Sequence, residues 1–257
     1  MRIVVNGWFW EQMAAGSGQY LAALAESLPH TGRSHQFILV CSRTNTRRGP
    51  RPEGWQVVDV ATPFDRINVD LAKLWFEQVT FPRTCVRSRA DVAFVPYWGS
   101  SWWRPCPVVV TVHDLGYLVY PEAHPLVQRV YLDLSTRWNT KAARLILADS
   151  AATKADLMSR YRTPADKIVV VYPGVSESLR PVSHEAAVAA ALGRYGITGE
   201  YFLYLGTLQP RKNLTTVVDA FAALANDLPP SVSLVLGGKA GWFVDSLHET
   251  IRRHGLE

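Results

Sequence analysis

Short apolar runs alternate along the chain with stretches in which apolar residues recur every three or four positions. The runs are Arg2-Ile-Val-Val-Asn6, Phe37-Ile-Leu-Val-Cys41, Val57-Val-Asp-Val60, Val92-Ala-Phe-Val95, Val108-Val-Val-Thr-Val112, Leu145-Ile-Leu-Ala148 and Ile168-Val-Val-Val-Tyr172. Near-continuous Val, Ile and Leu suit strands covered on both faces, as in a parallel sheet. Helical patterns at 18–28, 125–143 and 151–161 separate several of the runs. Strands and helices in alternation predict parallel βαβ units. Residues 1–175 therefore read as one Rossmann-like domain.

Pro173-Gly174 stops that pattern. Residues 176–199 carry Pro181, Gly193, Gly196 and Gly199 around an alanine-rich helix, the composition of an interdomain connection. A second alternation follows: strand 201–205, loop 206–212, helix 213–225, strand 232–236 and helix 243–254. Two βα units are too few for a complete doubly wound sheet. Residues 200–257 are thus expected to be the first part of a second domain.

Composition narrows the class. A hydrophobic content of 48% with 19% charged residues excludes a disordered or collagen-like chain. Cys41, Cys85 and Cys106 show no C-x-x-C spacing, so neither a zinc site nor a disulfide framework is expected, which fits a reducing compartment. No signal-peptide pattern opens the chain, and no apolar run reaches the ~18–20 residues that span a bilayer. A cytoplasmic protein is the expectation. The net charge of +5 is spread out, with Arg43, Arg47, Arg48 and Arg51 in one loop and Arg83, Arg87 and Arg89 in another stretch. No nucleic-acid motif accompanies them, so no nucleic-acid partner is expected. The apolar, aromatic segment 71–81 ahead of those last arginines reads two ways: a helix on a membrane surface, or a core helix with a basic end.

Five places carry candidate chemistry. Gly16-Ser-Gly-Gln-Tyr20 follows the first strand and opens a helix, where glycines admit a close ligand and free N–H groups favour an anion. It is not a dinucleotide fingerprint, because position 21 is Leu, and a plain glycine-rich helix start remains open beside it. His113-Asp114 follows the run ending at Val112, beyond the carboxyl end of a strand, where parallel sheets bind ligands. The imidazole can move a proton or bond a hydroxyl, while the carboxylate can equally cap a turn. Gly206-Thr-Leu-Gln-Pro-Arg-Lys-Asn213 sets Arg211 and Lys212 beside a helix start that Asn213 can cap, a place suited to a diphosphate or to a solvated basic turn. Asp149-Ser150 reads as a helix N-cap that can also line a cleft. The aromatic loop 97–103 suits sugar stacking, a membrane interface or burial between lobes.

Taken in order, Gly16–Tyr20, Thr111–Leu115, Ile168–Val175 and Tyr201–Leu214, with the continuation Leu234–Trp242, resemble glycosyltransferase family 4, the group 1 glycosyltransferases of GT-B architecture. The resemblance implies an α/β fold: one complete Rossmann-like acceptor-side domain at 1–175, then the first part of a nucleotide-sugar domain at 200–257. It implies a retaining transfer, without metal or other cofactor, from a nucleotide sugar to a glycan or lipid-linked acceptor. Cell-envelope polysaccharide synthesis and peripheral contact with the inner face of the membrane belong to the same expectation. Gly16 and Gly18 would lie near the donor phosphates and His113 near the reacting sugar, bonding a donor hydroxyl. Arg211 and Lys212, in the loop framed by Gly206 and Asn213, would neutralise the leaving diphosphate. The family carries, further along, two glutamates separated by seven residues, and this chain stops at Glu257 before that region. A partial member with weak donor binding is the expectation. A non-catalytic nucleotide- or carbohydrate-binding remnant, or a GT-B-like epimerase or phosphorylase, stands as the alternative.

Overall fold

The computed structural model describes residues 1–257 except 11, 14–15, 32–33, 44–50, 100, 177–178 and 242–243, together with the side chain of Ala123. Arg47 and Arg48 of the basic loop, parts of the loop between Trp8 and Gly16, Trp242, and the expected helix start at Phe243 lie outside the described residues.

The strands are β1 (Arg2–Asn6), β2 (Gln36–Ser42), β3 (Trp55–Val60), β4 (Val92–Val95), β5 (Val108–Val112), β6 (Leu145–Ala148), β7 (Ile168–Val170), β8 (Tyr201–Leu205) and β9 (Ser233–Gly237). The α-helices are α1 (Gly16–Ser27), α2 (Val69–Trp75), α3 (Phe81–Arg87), α4 (Gly116–Val119), α5 (Leu126–Ala142), α6 (Ala151–Tyr161), α7 (Glu185–Arg194), α8 (Leu214–Leu224) and α9 (Asp245–Arg253). The chain divides into two compact units, Met1–Val119 with Leu126–Val175, and Tyr120–Pro125 with Ser176–Glu257.

In the first unit, the described strands form one parallel sheet in the order β3-β2-β1-β4-β5-β6-β7. Register makes the two faces consistent. Val4 lies opposite Ile38 and Ala93, and all three join one apolar cluster with Val110, Ile146, Phe76, Phe81, Leu132 and Leu157. Val5, one residue on, lies opposite Leu39 and Phe94, and these join a second cluster with Leu21 of α1. Helices thus cover both faces, which is why the strands read as unbroken apolar runs. The order reverses between β1 and β4, and crevices open beyond the carboxyl ends of strands at such a point.

The segment 71–81 follows its core-helix reading on one face. Ala72, Phe76 and Phe81 are buried in the core, while Leu71 and Leu74 are exposed. Between α2 and α3 the backbone makes a π-helical turn, Phe76–Thr80. Glu77, the second residue of this turn, is buried beside Phe76.

The second unit pairs β8 with β9 in parallel. Leu214 and Val218 of α8 and Leu247 of α9 pack with Tyr204, Leu234 and Leu236 on one face of that pair. Leu203 and Leu205, which alternate with Tyr204, are exposed. No helix among the described residues is long and apolar enough to cross a membrane.

Candidate functional site

Three adjacent strands of the first unit end on residues that meet. Pro96 follows β4, His113 follows β5 and Asp149 follows β6, each by one position. His113 Nδ1 lies 2.6 Å from Asp149 Oδ2, and Nε2 lies 3.2 Å from the Pro96 carbonyl oxygen. Both neighbours are acceptors, so each contact needs an N–H on the ring. A neutral imidazole donates to one of them, a protonated ring to both. The carboxylate contact is the shorter and is charge-assisted, the stronger type of the two. Asp149 Oδ1 is buried and meets no hydrogen-bond partner among the described residues.

The backbone around this pair is also fixed. Ser150 caps α6 by accepting from the Thr153 N–H at 3.0 Å, and the Thr153 hydroxyl donates to the His113 carbonyl at 3.0 Å. The N-cap expected at Asp149-Ser150 therefore belongs to Ser150, which frees Asp149 to turn to His113. Asp114 takes the other reading open to it: its Oδ1 accepts from the Gly116 N–H at 2.9 Å and opens α4.

Helix α1 brings Tyr20 edge-on to the His113 ring, with centroids 5.0 Å apart and an interplanar angle of 85°. The Tyr20 hydroxyl lies 3.4 Å from Thr111 Oγ1. Burial, and secondarily the Asp149 charge, raise the Tyr20 pKa, against the lowering effect of the Thr111 contact. The phenol therefore stays neutral at ordinary pH. The two glycines that open α1 differ. Gly16 has open space around it, whereas a Cβ on Gly18 would fall 2.2 Å from the Gln12 carbonyl oxygen. Packing of the preceding loop accounts for Gly18 without a ligand.

The aromatic loop after β4 divides into an anchored and an exposed part. Tyr97 is fully buried, and its hydroxyl donates to Glu77 Oε1 at 3.0 Å. The Tyr131 hydroxyl of α5 donates to Glu77 Oε2, also at 3.0 Å. Lys73 Nζ sits 3.5 Å from Glu77 Oε1 and 4.3 Å from the centre of the Trp98 ring, so the buried carboxylate is paired and bonded at both oxygens. The Trp98 carbonyl accepts from Asn139 Nδ2, and the Ser101 carbonyl from Arg104 Nε at 3.0 Å. Trp102 and Trp103 point outward, 71% and 52% exposed. Ser100, in the same loop, lies outside the described residues.

In the second unit, Gly206, Arg211, Lys212 and Asn213 share the loop between β8 and α8. Pro210–Lys212 make a 3-10 turn that delivers both cations just ahead of α8. Asn213 does not cap α8 as expected. It stands at φ 52° and ψ 41°, closing the 3-10 turn with its N–H on the Pro210 carbonyl at 2.8 Å, and its Oδ1 accepts from the Thr216 hydroxyl instead. In that left-handed conformation its side chain reaches no helix N–H, and asparagine tolerates the conformation better than most residues. The loop after β9 runs alongside: the Gly206 N–H donates to the Gly237 carbonyl at 2.9 Å, and the Leu208 N–H to that of Lys239 at 2.9 Å. Gly238, at φ 150°, approaches so closely that a Cβ there would fall 1.8 Å from the Gly206 carbonyl oxygen. This contact gives Gly206 and Gly238 a packing role that the motif alone did not reveal.

An open depression of about 600 Å³ lined by Arg2, Ser34, His35, Gln36, Arg89 and Asp91 lies at the amino ends of β1, β2 and β4. It is on the opposite edge of the sheet from His113. Among the described residues, no group of three or more His, Cys, Asp or Glu side chains is placed to hold a metal ion.

Residues 14–179 match the model of Glycosyltransferase Family 4. The chain belongs to that family. It is 30% identical over 176 residues to O-antigen chain mannosyltransferase B of Escherichia coli, an alignment covering 67% of this chain and 46% of that protein. The fold matches Anabaena Alr3699/HepE, solved with UDP and glucose, at a TM-score of 0.66 and 18% identity, covering 100% of this chain and 67% of the other. It also matches WaaG, a glycosyltransferase involved in lipopolysaccharide biosynthesis, at a TM-score of 0.65 and 13% identity, covering 100% and 68%. The GT-B-like α/β architecture expected from the sequence is the one observed. The chain spans about half the length of the curated relative and two-thirds of the solved chains.

Proposed function

We propose that this chain carries the acceptor-side unit, and the opening of the donor-side unit, of a retaining glycosyltransferase. The reaction moves a sugar from a nucleotide sugar to a glycan or lipid-linked acceptor in cell-envelope polysaccharide synthesis. The observation that carries this reading is the held imidazole at the carboxyl ends of β4, β5 and β6 in a chain of this family. The donor assignment is supported by UDP in the solved HepE complex, and the acceptor class by the O-antigen and lipopolysaccharide relatives. In this reading His113 addresses a hydroxyl of the donor sugar. Arg211 and Lys212 stabilise the negative charge that builds on the departing diphosphate, work that fixed cations do without a metal. Open space at Gly16 suits close approach of a phosphate to the start of α1.

Transfer of labelled sugar from UDP- and GDP-sugars to polyprenyl-linked glycan acceptors tests the proposal. Arg211→Ala with Lys212→Ala is expected to cost several kcal/mol of transition-state stabilisation, on the order of 10²–10³ in kcat. Unchanged kinetics in that variant would remove both cations from the mechanism. Nucleotide binding with no transfer to any acceptor would favour the non-catalytic alternative.

The same reading includes contact with the inner membrane face. Ile67, Val69, Leu71 and Leu74 are exposed along α2 and its approach, and the Trp102 N–H donates to Gln78 Oε1, one turn beyond Leu74. Aliphatic residues and tryptophans beside exposed Arg66, Arg83 and Arg87 match the chemistry of an anionic lipid interface. Sedimentation with anionic vesicles is expected to capture the protein. Leu71→Ser with Trp102→Ser should release it, and equal binding by the variant would argue against this surface.

A further inference from the structure

We infer that Asp149 is the positioning residue for His113: it holds Nδ1–H and so reserves Nε2 as the nitrogen that accepts from a ligand hydroxyl. The inference deepens the proposed function and rests on it for the identity of that hydroxyl, a sugar's. It does not rest on it for the arrangement of the ring.

The geometry separates the two nitrogens. Nδ1 faces a carboxylate at 2.6 Å, and Nε2 faces a neutral backbone carbonyl at 3.2 Å. Charge-assisted hydrogen bonds are roughly twice as strong as neutral ones, so a neutral ring keeps its one proton on Nδ1, and the bare Nε2, which cannot donate to the carbonyl, accepts from an incoming hydroxyl. The remaining contacts keep the ring from turning. Tyr20 stands edge-on at 5.0 Å, and Thr153 bonds the His113 carbonyl at 3.0 Å from the first turn of the helix that Asp149 precedes. Asp149 and His113 are therefore linked twice, once side chain to side chain and once through the hydroxyl of Thr153, four residues beyond Asp149. The ring is only partly buried, with its side chain 24% exposed, so one edge of it stays open to solvent. An imidazole with one nitrogen fixed by a carboxylate has its tautomer chosen in advance, and the other nitrogen presents a defined role to a ligand.

Long-range ¹⁵N–¹H NMR of the ligand-free protein, with His113 assigned by its loss in His113→Gln, reads the ring directly. The expected result is a protonated Nδ1 with a strongly downfield, slowly exchanging N–H proton, and loss of that proton in the nearly isosteric Asp149→Asn. An unprotonated Nδ1 in the parent protein overturns the proposal without any variant, and so does an Asp149→Asn spectrum identical to the parent's. Should Asp149→Asn fail to fold, Asp149→Glu serves as the second variant, with a displaced but retained downfield proton expected and an unchanged one counting against the proposal. Kinetics then test the consequence. Asp149→Asn is expected to lower kcat by at least about tenfold while leaving the KM for acceptor within about twofold. A KM effect with kcat unchanged would overturn the positioning role. If no variant and no parent protein transfers sugar from any donor, the proposed activity fails, and the ring measurements still decide whether Asp149 positions His113.

Discussion

Strands β5 and β8 look alike as sequence, Val-Val-Val-Thr-Val against Tyr-Phe-Leu-Tyr-Leu, yet they meet opposite fates. In β5, Val108, Val110, Thr111 and Val112 are buried, with β4 on one side and β6 on the other. In β8, Phe202, Leu203 and Leu205 are exposed, Leu205 to 78%, and β9 is the one strand paired with it among the described residues. Apolar patterning specifies that a strand forms. How much that strand contributes depends on what lies over each face. Burial of a Leu or Ile side chain stabilises by roughly 1.5–3 kcal/mol, and a strand with one uncovered face forgoes half of that opportunity.

The largest effect expected from this contrast comes from one substitution made on each side. Ile146→Ala, at a fully buried position on β6 between β5 and β7, should destabilise by about 2–5 kcal/mol, because the neighbouring Val110, Leu157 and Ile168 cannot collapse fully into the space. Leu203→Ala, with no cover to lose, should stay within about 0.5 kcal/mol. Urea denaturation monitored separately in the two units checks this. Comparable costs at the two positions would mean that the open face of β8 is covered in solution.

A smaller and pH-dependent effect separates the units further. Asp219 of α8 accepts from Arg253 at 3.0 Å and from His254 at 2.7 Å, joining α8 to the end of α9. The His254 hydrogen bond first, and then Arg253, hold its carboxyl below the usual value of 3.8. A depressed folded-state pKa means the contact helps the fold above about pH 4 and is lost as pH falls below that range. The Val218 and Leu247 methyl resonances should shift on acidification while those of Val110 stay in place. These side chains are only partly buried, so high salt should weaken the contact as well. A response confined to the first unit would contradict the assignment.

Much of the fold was legible because burial on two faces leaves its mark residue by residue. The bounds of β1, β4, β5, β6, β8 and α6 agree with the apolar runs that predicted them. Strand β7 stops at Val170 instead of Tyr172, since beyond Val171 the chain leaves the sheet and Tyr172 is exposed. The site was less legible, for physical reasons that differ by residue. His113 announced itself by its place after a strand. Asp149 did so only as a residue able to line a cleft; its pairing with His113 was hidden, because Ser150 beside it offered an equally good cap and the partner lies 36 positions away. Glu77 reads as the polar face of a helix. It is buried beside Phe76, and its hydroxyl partners lie 20 and 54 positions distant. Periodicity carries no information about such long-range polar pairs. One signal was available for Asp149: a polar or ring residue directly after each of three consecutive strands, a pattern that only the sheet order turns into a contact.

The meeting of Gly206 and Gly238 has a consequence for how this chain can change over generations. The loop after β8 presents bare backbone to the loop after β9, so Gly238 cannot acquire a side chain while the Gly206 carbonyl stays put. Arg211 and Lys212 hang from the first of these loops, so the second, which bears no part of their chemistry, acts as a fence around the mutations that loop can survive.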